Sequence, residues 1–144
     1  MIVGVIGVSI PDKNLYRDAE KIGEIIAENG HKLICGGLSG VMEAACKGAK
    51  SKNGTTIGIL PTNSIYDANN FVDIPVATNM GHARNVIIAT TSEILIAIGR
   101  GYGTLSEIAI GLKLNKPVYS WKSFDEIKGV IKLKSLNDLK EILK

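Results

Sequence analysis

The segment Gly99-Arg100-Gly101-Tyr102-Gly103-Thr104-Leu105-Ser106-Glu107 gathers the residue types that can hold an anion and act on it. Glycine lets a backbone approach a ligand closely and adopt positive φ. The apolar run Glu93–Ile98 ahead of it reads as a buried strand, and Leu105, Ile108, Ala109 and Leu112 beyond it recur at helical spacing. A strand, a glycine turn and a helix start together aim unpaired N–H groups and a partial positive charge at one point. That arrangement suits a phosphate, with Gly101, Gly103 and Thr104 as its contacts and Arg100 as an added positive group.

Two further strand ends carry small residues, Gly7-Val8-Ser9 and Gly36-Gly37-Leu38-Ser39-Gly40. If the strands are neighbours, these loops open on the same crevice. Ser9, Gly36, Gly37, Ser39 and Gly40 are therefore candidate ligand contacts. Gly81-His82-Ala83-Arg84-Asn85 starts another helix, in a chain with only three arginines. A planar guanidinium grips phosphate bidentately, which makes Arg84 a candidate, with Asn85 beside it. Glu107 supports two readings. Thr104-x-x-Glu107 has the form of a capping box, in which the glutamate folds back onto the helix N-cap. Alternatively, the carboxyl faces the crevice and orients water or stabilises positive charge growing on a ribose ring.

Several chemistries are excluded by spacing. From Gly99, G-x-G-x-x-G would need glycine where Thr104 stands, and Pro117–Trp121 ends on no acidic residue to hold a ribose diol. The G-x-x-x-x-G-K-[ST] loop is absent. His31 and His82 have no metal-ligand spacing with Cys, Asp or Glu, and no serine lies in G-x-S-x-G. Neither a metal nor a resident cofactor is expected.

The elements that must position these residues alternate between strand-like and helix-like runs, the signature of a parallel α/β sheet. Strands are predicted at Ile2–Val8, Lys32–Cys35, Thr55–Leu60, Phe71–Val76, Glu93–Ile98 and Pro117–Trp121. Leu15, Ala19, Ile22 and Ile26 mark the buried stripe of a first helix, capped by Ser9 or Asp12 and ended by Asn29-Gly30. A second helix covers Val41–Lys50. A third opens at Thr78–Gly81 and runs to about Thr91, with Val86, Ile87 and Thr90 inward. The tail from Ser123 reads as two short helices, the second starting at Ser135. The fold expected is a single Rossmann-like, doubly wound, mainly parallel sheet with helices on both faces, spanning residues 1–144 as one domain. Its ligands should lie at the carboxyl ends of the strands.

The 144 residues carry a net charge of +3, and the last 32 hold eight lysines against four acidic residues. Without interleaved aromatics that lysine-rich tail reads as a solvated face, and no nucleic-acid partner is expected. Cys35 and Cys46 share no CxxC spacing and read as reduced thiols of a cytoplasmic protein. The amino-terminal run lacks a basic region before it and reads as a first strand, not a signal peptide. No apolar run reaches the ~18 residues of a membrane span.

Taken together, these motifs resemble the "Lonely guy" superfamily, phosphoribohydrolases that activate cytokinins and are often labelled lysine decarboxylases. Gly36-Gly37-Leu38-Ser39-Gly40-Val41-Met42 is similar to its GGGxxGLMG segment. Pro61, His82-Ala83-Arg84-Asn85 and Gly101-Tyr102-Gly103-Thr104-Leu105-Ser106-Glu107 follow in its order, the last resembling PGGxGTxxE. The resemblance covers about residues 2 to 120. It implies cleavage of a nucleoside 5′-monophosphate to free base and ribose 5-phosphate, with Arg84 and Glu107 as the catalytic pair and a homodimer as the assembly. No lysine is marked for pyridoxal phosphate. Gly99-Arg100 stands where that family has Pro-Gly, Asn85 where it has Lys and Ser106 where it often has Glu. These departures resemble a shorter branch that includes molybdenum-cofactor carriers and is related to DNA-processing proteins. For that branch the implied function is binding or carriage of a phosphorylated nucleotide or pterin cofactor.

Overall fold

A computed structural model describes residues 1–144. Seven strands form one sheet in the order β4-β3-β2-β1-β5-β6-β7, with every neighbouring pair parallel. They are β1 (Ile2–Gly7), β2 (Lys32–Cys35), β3 (Thr56–Leu60), β4 (Ile74–Ala77), β5 (Ile94–Ile98), β6 (Val118–Trp121) and β7 (Ile131–Lys132). The helices are α1 (Lys13–Glu28), α2 (Val41–Ser51), α3 (Asn85–Thr91), α4 (Tyr102–Lys113) and α5 (Leu136–Ile142). The architecture is α/β and Rossmann-like.

Alternation along the central strands divides the core. Ile94, Ile96 and Ile98 of β5 pack with α1, α2 and α5, while Leu95 and Ala97 pack with Ile88 and Ala89 of α3 and Ile108 of α4. A strand buried on both faces must be apolar at every position, and all five residues of β5 are buried. The chain winds from β1 outward through β2, β3 and β4, then returns to the centre and winds outward the other way through β5, β6 and β7. The reversal falls between β1 and β5. Their connections leave to opposite sides, so a crevice opens beyond their carboxyl ends.

Asp12 caps α1, its carboxylate accepting from the Leu15 amide at 2.8 Å. Three expectations differ from the structure. The fourth strand begins at Ile74 instead of Phe71, because Phe71 and Asp73 are tied back to β3. The Thr56 hydroxyl donates to the Phe71 carbonyl at 2.6 Å and the Thr56 amide donates to Asp73 at 3.0 Å. The helix expected from Thr78–Gly81 to Thr91 splits into a 3-10 turn, Gly81–Arg84, and α3. The tighter turn changes the phase, so Ile88 and Ala89 point inward while Val86 and Thr90 are exposed. The tail holds β7 and one helix. Turns replace the first of the two expected helices, with Gly129 at φ +100° just ahead of β7, and Ser135 caps α5 in a capping box with Asp138.

Candidate functional site

The turn after β5 starts with Gly99 at φ +77°, a conformation that favours glycine, and α4 starts three residues later. The N-cap is Gly101 in extended conformation, and no side chain caps the helix. The first turn of a helix leaves its amides without intrahelical partners, so those of Tyr102, Gly103 and Thr104 are available to a ligand. They adjoin a cavity of about 480 Å³ at the β1–β5 switch point, within the ~300–1,000 Å³ range of small-molecule sites. A second hollow, of about 380 Å³, lies over the start of α1, lined by Pro11, Asp12, Lys13, Tyr16 and Arg17. That one has no glycine turn and no buried charge.

Eight of the residues singled out from the sequence line the switch-point cavity: Ser9, Arg84, Asn85, Arg100, Gly101, Gly103, Thr104 and Glu107. They come from the loop after β1, the entrance to α3, and the glycine turn and first turns of α4, segments far apart in the chain. Glu107 and Arg84 are each only 7% exposed. The capping-box reading of Glu107 does not hold. α4 begins at Tyr102, Thr104 lies inside its first turn, and the cap residue is Gly101. The Glu107 carboxyl is therefore too far along the helix to reach the N-cap amide, and it faces the cavity. Burial pushes its pKa up to about 8, and the Arg84 charge only partly offsets that. The carboxyl therefore keeps its proton to higher pH than an exposed glutamate does.

Arg84 is held from two sides. Its Nε donates to the Ile59 carbonyl at 2.9 Å, and its guanidinium donates to the Asn85 side-chain oxygen. Burial lowers its pKa, while Glu107 raises it. Asn85 donates in turn to the Ser106 hydroxyl at 3.2 Å, and Ser106 donates to the Gly103 carbonyl at 2.7 Å. A chain of hydrogen bonds thus fixes Arg84 relative to the glycine turn.

Arg100 is engaged elsewhere. Its guanidinium pairs with both Glu126 oxygens at 2.7 and 3.1 Å, donates to the Ser123 carbonyl at 2.9 Å and lies 4.3 Å from the Phe124 ring centre. It ties the glycine turn to the β6–β7 loop, so the added anion contact expected of it is already taken up by a carboxylate.

The remaining candidates, Gly36, Gly37, Ser39 and Gly40, lie off the cavity wall. The glycines act by closeness. A Cβ on Gly36 would lie 2.6 Å from Arg84 Nη2 and 2.7 Å from Met42 Sδ, so its bareness makes room for the guanidinium. Gly40, at φ +77°, would place a Cβ 2.4 Å from the Ser9 carbonyl oxygen. That contact brings the start of α2 against the β1 loop, where the Val41 amide donates to the Val8 carbonyl at 3.0 Å. Ser39 is exposed. The cavity is completed by Gly7, Val8, Ile10, Leu38, Met42, His82 and Tyr102, none of which the sequence marked as a ligand contact. Leu38 and Met42 look like core residues in the sequence, and only the position of Tyr102 between two glycines of the anion turn was a usable signal. No group of three or more His, Cys, Asp or Glu side chains could hold a metal ion. No helix is long and apolar enough to cross a membrane.

A parallel sheet with its crevice at the switch point, a glycine turn leading into an uncapped helix, and a buried arginine and glutamate on one cavity are the build of a nucleotide- or cofactor-binding protein of the Rossmann type. The pattern of the SLOG cluster4 family matches residues 1–143, and the chain belongs to that family. A protein of Archaeoglobus fulgidus, itself uncharacterized, is 55% identical over 130 residues, 90% of this chain and 85% of its own. The molybdenum cofactor carrier protein of Chlamydomonas reinhardtii superposes with a TM-score of 0.91 at 36% identity, over 99% of this chain and 94% of its own. A probable cytokinin riboside 5′-monophosphate phosphoribohydrolase of Oryza sativa subsp. japonica is 28% identical over 106 residues. That match takes in 71% of this chain but only 47% of the rice protein.

Proposed function

We propose that this protein binds a phosphorylated ring compound, a nucleotide or a phosphorylated pterin such as the molybdenum cofactor, and carries it without breaking it down. The observation behind this reading is the shared cavity, in which the free amides of α4 meet the buried side chains of Glu107 and Arg84. The amides supply hydrogen bonds and a partial positive charge to a phosphate, and Gly101, Gly103, Thr104 and Ser9 surround it. A neutral Glu107 neither repels the anion nor stabilises a growing positive charge on a sugar. The likeness to the cofactor carrier runs through nearly the whole of both chains, whereas the likeness to the phosphoribohydrolase is partial. In this reading the cofactor is cargo.

The second reading is a nucleoside 5′-monophosphate phosphoribohydrolase, and one observation favours it: Arg84 and Glu107 face the same cavity as the phosphate turn. A protonated carboxyl there suits proton donation to a departing base. The test incubates the purified protein with AMP, other nucleoside monophosphates and a cytokinin riboside monophosphate, with Glu107→Gln alongside. Chromatography is expected to show bound nucleotide and no free base. Base and ribose 5-phosphate from the native protein alone would replace carriage with hydrolysis. No detectable binding of any phosphate compound would remove both readings.

The assembly proposed is a homodimer. Met80, Val86 and Leu114, on or beside α3 and α4, are each more than 40% exposed, and a second copy would cover them. Light scattering should give twice the chain mass, 30.8 kDa against 15.4 kDa for one chain; a monomer with Val86→Asp behaving identically would end that proposal.

A further inference from the structure

We propose that Ile10 and Tyr102 form a pair of jaws for a flat aromatic heterocycle, so that the ligand is recognised as a ring and a phosphate together. The inference rests on the phosphate-binding reading above and adds where the ring lies and what holds it. Both side chains are 92% exposed, yet both line the switch-point cavity. Tyr66, almost as exposed at 91%, stands on the Ile65–Asp67 turn and has no part in that cavity.

The fold brings the two loops side by side. β1 and β5 pair in parallel from Val3 and Ile94 to Gly7 and Ile98, and the Val8 amide donates to the Ile98 carbonyl at 3.4 Å. A Cβ on Gly101 would lie 3.3 Å from the Val8 side chain. The loops therefore touch two residues before Ile10 and one before Tyr102. Tyr102 is also the first residue of α4, whose free amides are the phosphate contacts. A phosphate on those amides brings whatever is attached to it within reach of the Tyr102 ring, and Ile10 supplies an apolar surface from the adjacent loop. The buried part of the wall holds Arg84, Asn85 and Glu107 beside the apolar Met42. Ile10 and Tyr102 are the only large apolar side chains of the cavity lining that stand exposed. Stacking of this kind is tolerant of ring identity, because every heterocyclic base presents a π-face.

The test compares AMP and GMP with ribose 5-phosphate, which carries the phosphate and no ring, by calorimetry on the native protein, Tyr102→Ala, Tyr102→Phe and Ile10→Ser. Native protein is expected to hold AMP or GMP about tenfold more tightly than ribose 5-phosphate. Tyr102→Ala and Ile10→Ser should remove that advantage and leave ribose 5-phosphate within twofold, while Tyr102→Phe keeps it. Equal binding of the nucleotides and ribose 5-phosphate by the native protein would overturn the jaws and leave the phosphate site standing. So would an advantage untouched in both Tyr102→Ala and Ile10→Ser. Failure of all three compounds to bind native protein would overturn the phosphate reading, and the jaws with it. Both positions are at the surface, so thermal melting should match the native protein in every variant.

Discussion

Glu107→Gln is expected to make the protein more stable than the native form at pH 9, by a few kcal/mol, and to leave stability almost unchanged at pH 4. In the folded protein burial holds the Glu107 carboxyl neutral up to about pH 8, against an ordinary value of 4.5. A group with a raised folded pKa is fully accommodated below its unfolded value and progressively disfavours folding above it. Between pH 4.5 and 8 the unfolded chain releases a proton that the folded chain keeps. Stability then falls by about 1.4 kcal/mol per pH unit, to a total of at most about 5 kcal/mol. Above pH 8 both states are ionised and the difference no longer grows. Glutamine keeps the shape and never ionises, so the pH slope should vanish in the variant. Urea unfolding of both proteins at pH 4, 7 and 9 reads this directly, and parallel curves would show that the carboxyl is not held neutral. The same titration should weaken AMP binding above pH 8 in the native protein only, because an ionised Glu107 repels the phosphate. If the protein is a hydrolase after all, Glu107→Gln should also cost at least about a hundredfold in turnover.

Gly48→Ala is expected to destabilise the protein by about 4 kcal/mol, lowering the melting temperature by roughly 12 °C for a chain of this size. Alanine normally replaces glycine inside a helix with a gain of about 1 kcal/mol, so the sign is the informative part. A Cβ on Gly48 would sit 1.9 Å from the Glu20 carbonyl oxygen, and one on Gly23 would sit 2.0 Å from that of Ala45. α1 and α2 therefore cross backbone to backbone, and the obstacle is a helix carbonyl instead of a flexible side chain. Relief would require the two helices to separate, opening the face of the core that holds Ala19, Ala45 and Cys46. Gly103 provides the control, since a Cβ there meets nothing within 4 Å. Gly103→Ala should melt no lower than the native protein. Equal melting temperatures for Gly48→Ala and the native chain would contradict the close crossing.

The crossing also shows why α2 stands where it does for the site. The same helix begins at Gly40, pressed against Ser9. Glycine at 36, 37 and 40 was legible in the sequence as a ligand loop, because close approach of a ligand and close approach of another chain segment require the same bare residue. Only the distances separate the two. At Gly40 the neighbour is the Ser9 backbone and at Gly36 it is the Arg84 guanidinium, so these glycines shape the site from behind its wall.

The sequence by itself determined the parallel α/β architecture, the glycine turn opening α4, and the candidacy of Arg84 and Glu107. Those features are local: periodicity, breaker residues and helix starts act over a few positions, and the chain carries them wherever it folds. The tertiary structure alone decided what depends on distant partners. Arg100 is tied to Glu126, 26 residues on, and no local pattern announces that pair. The fourth strand starts late because Asp73 and Phe71 are bonded to Thr56, and β7 forms by pairing Ile131 and Lys132 with Tyr119 and Ser120 of β6. The character of Glu107 changed most. In sequence it was equally a helix cap or a cavity carboxyl. The start of α4 at Tyr102 removed the cap, and burial, a sum over neighbours distant in the chain, left the carboxyl facing the cavity with its pKa raised.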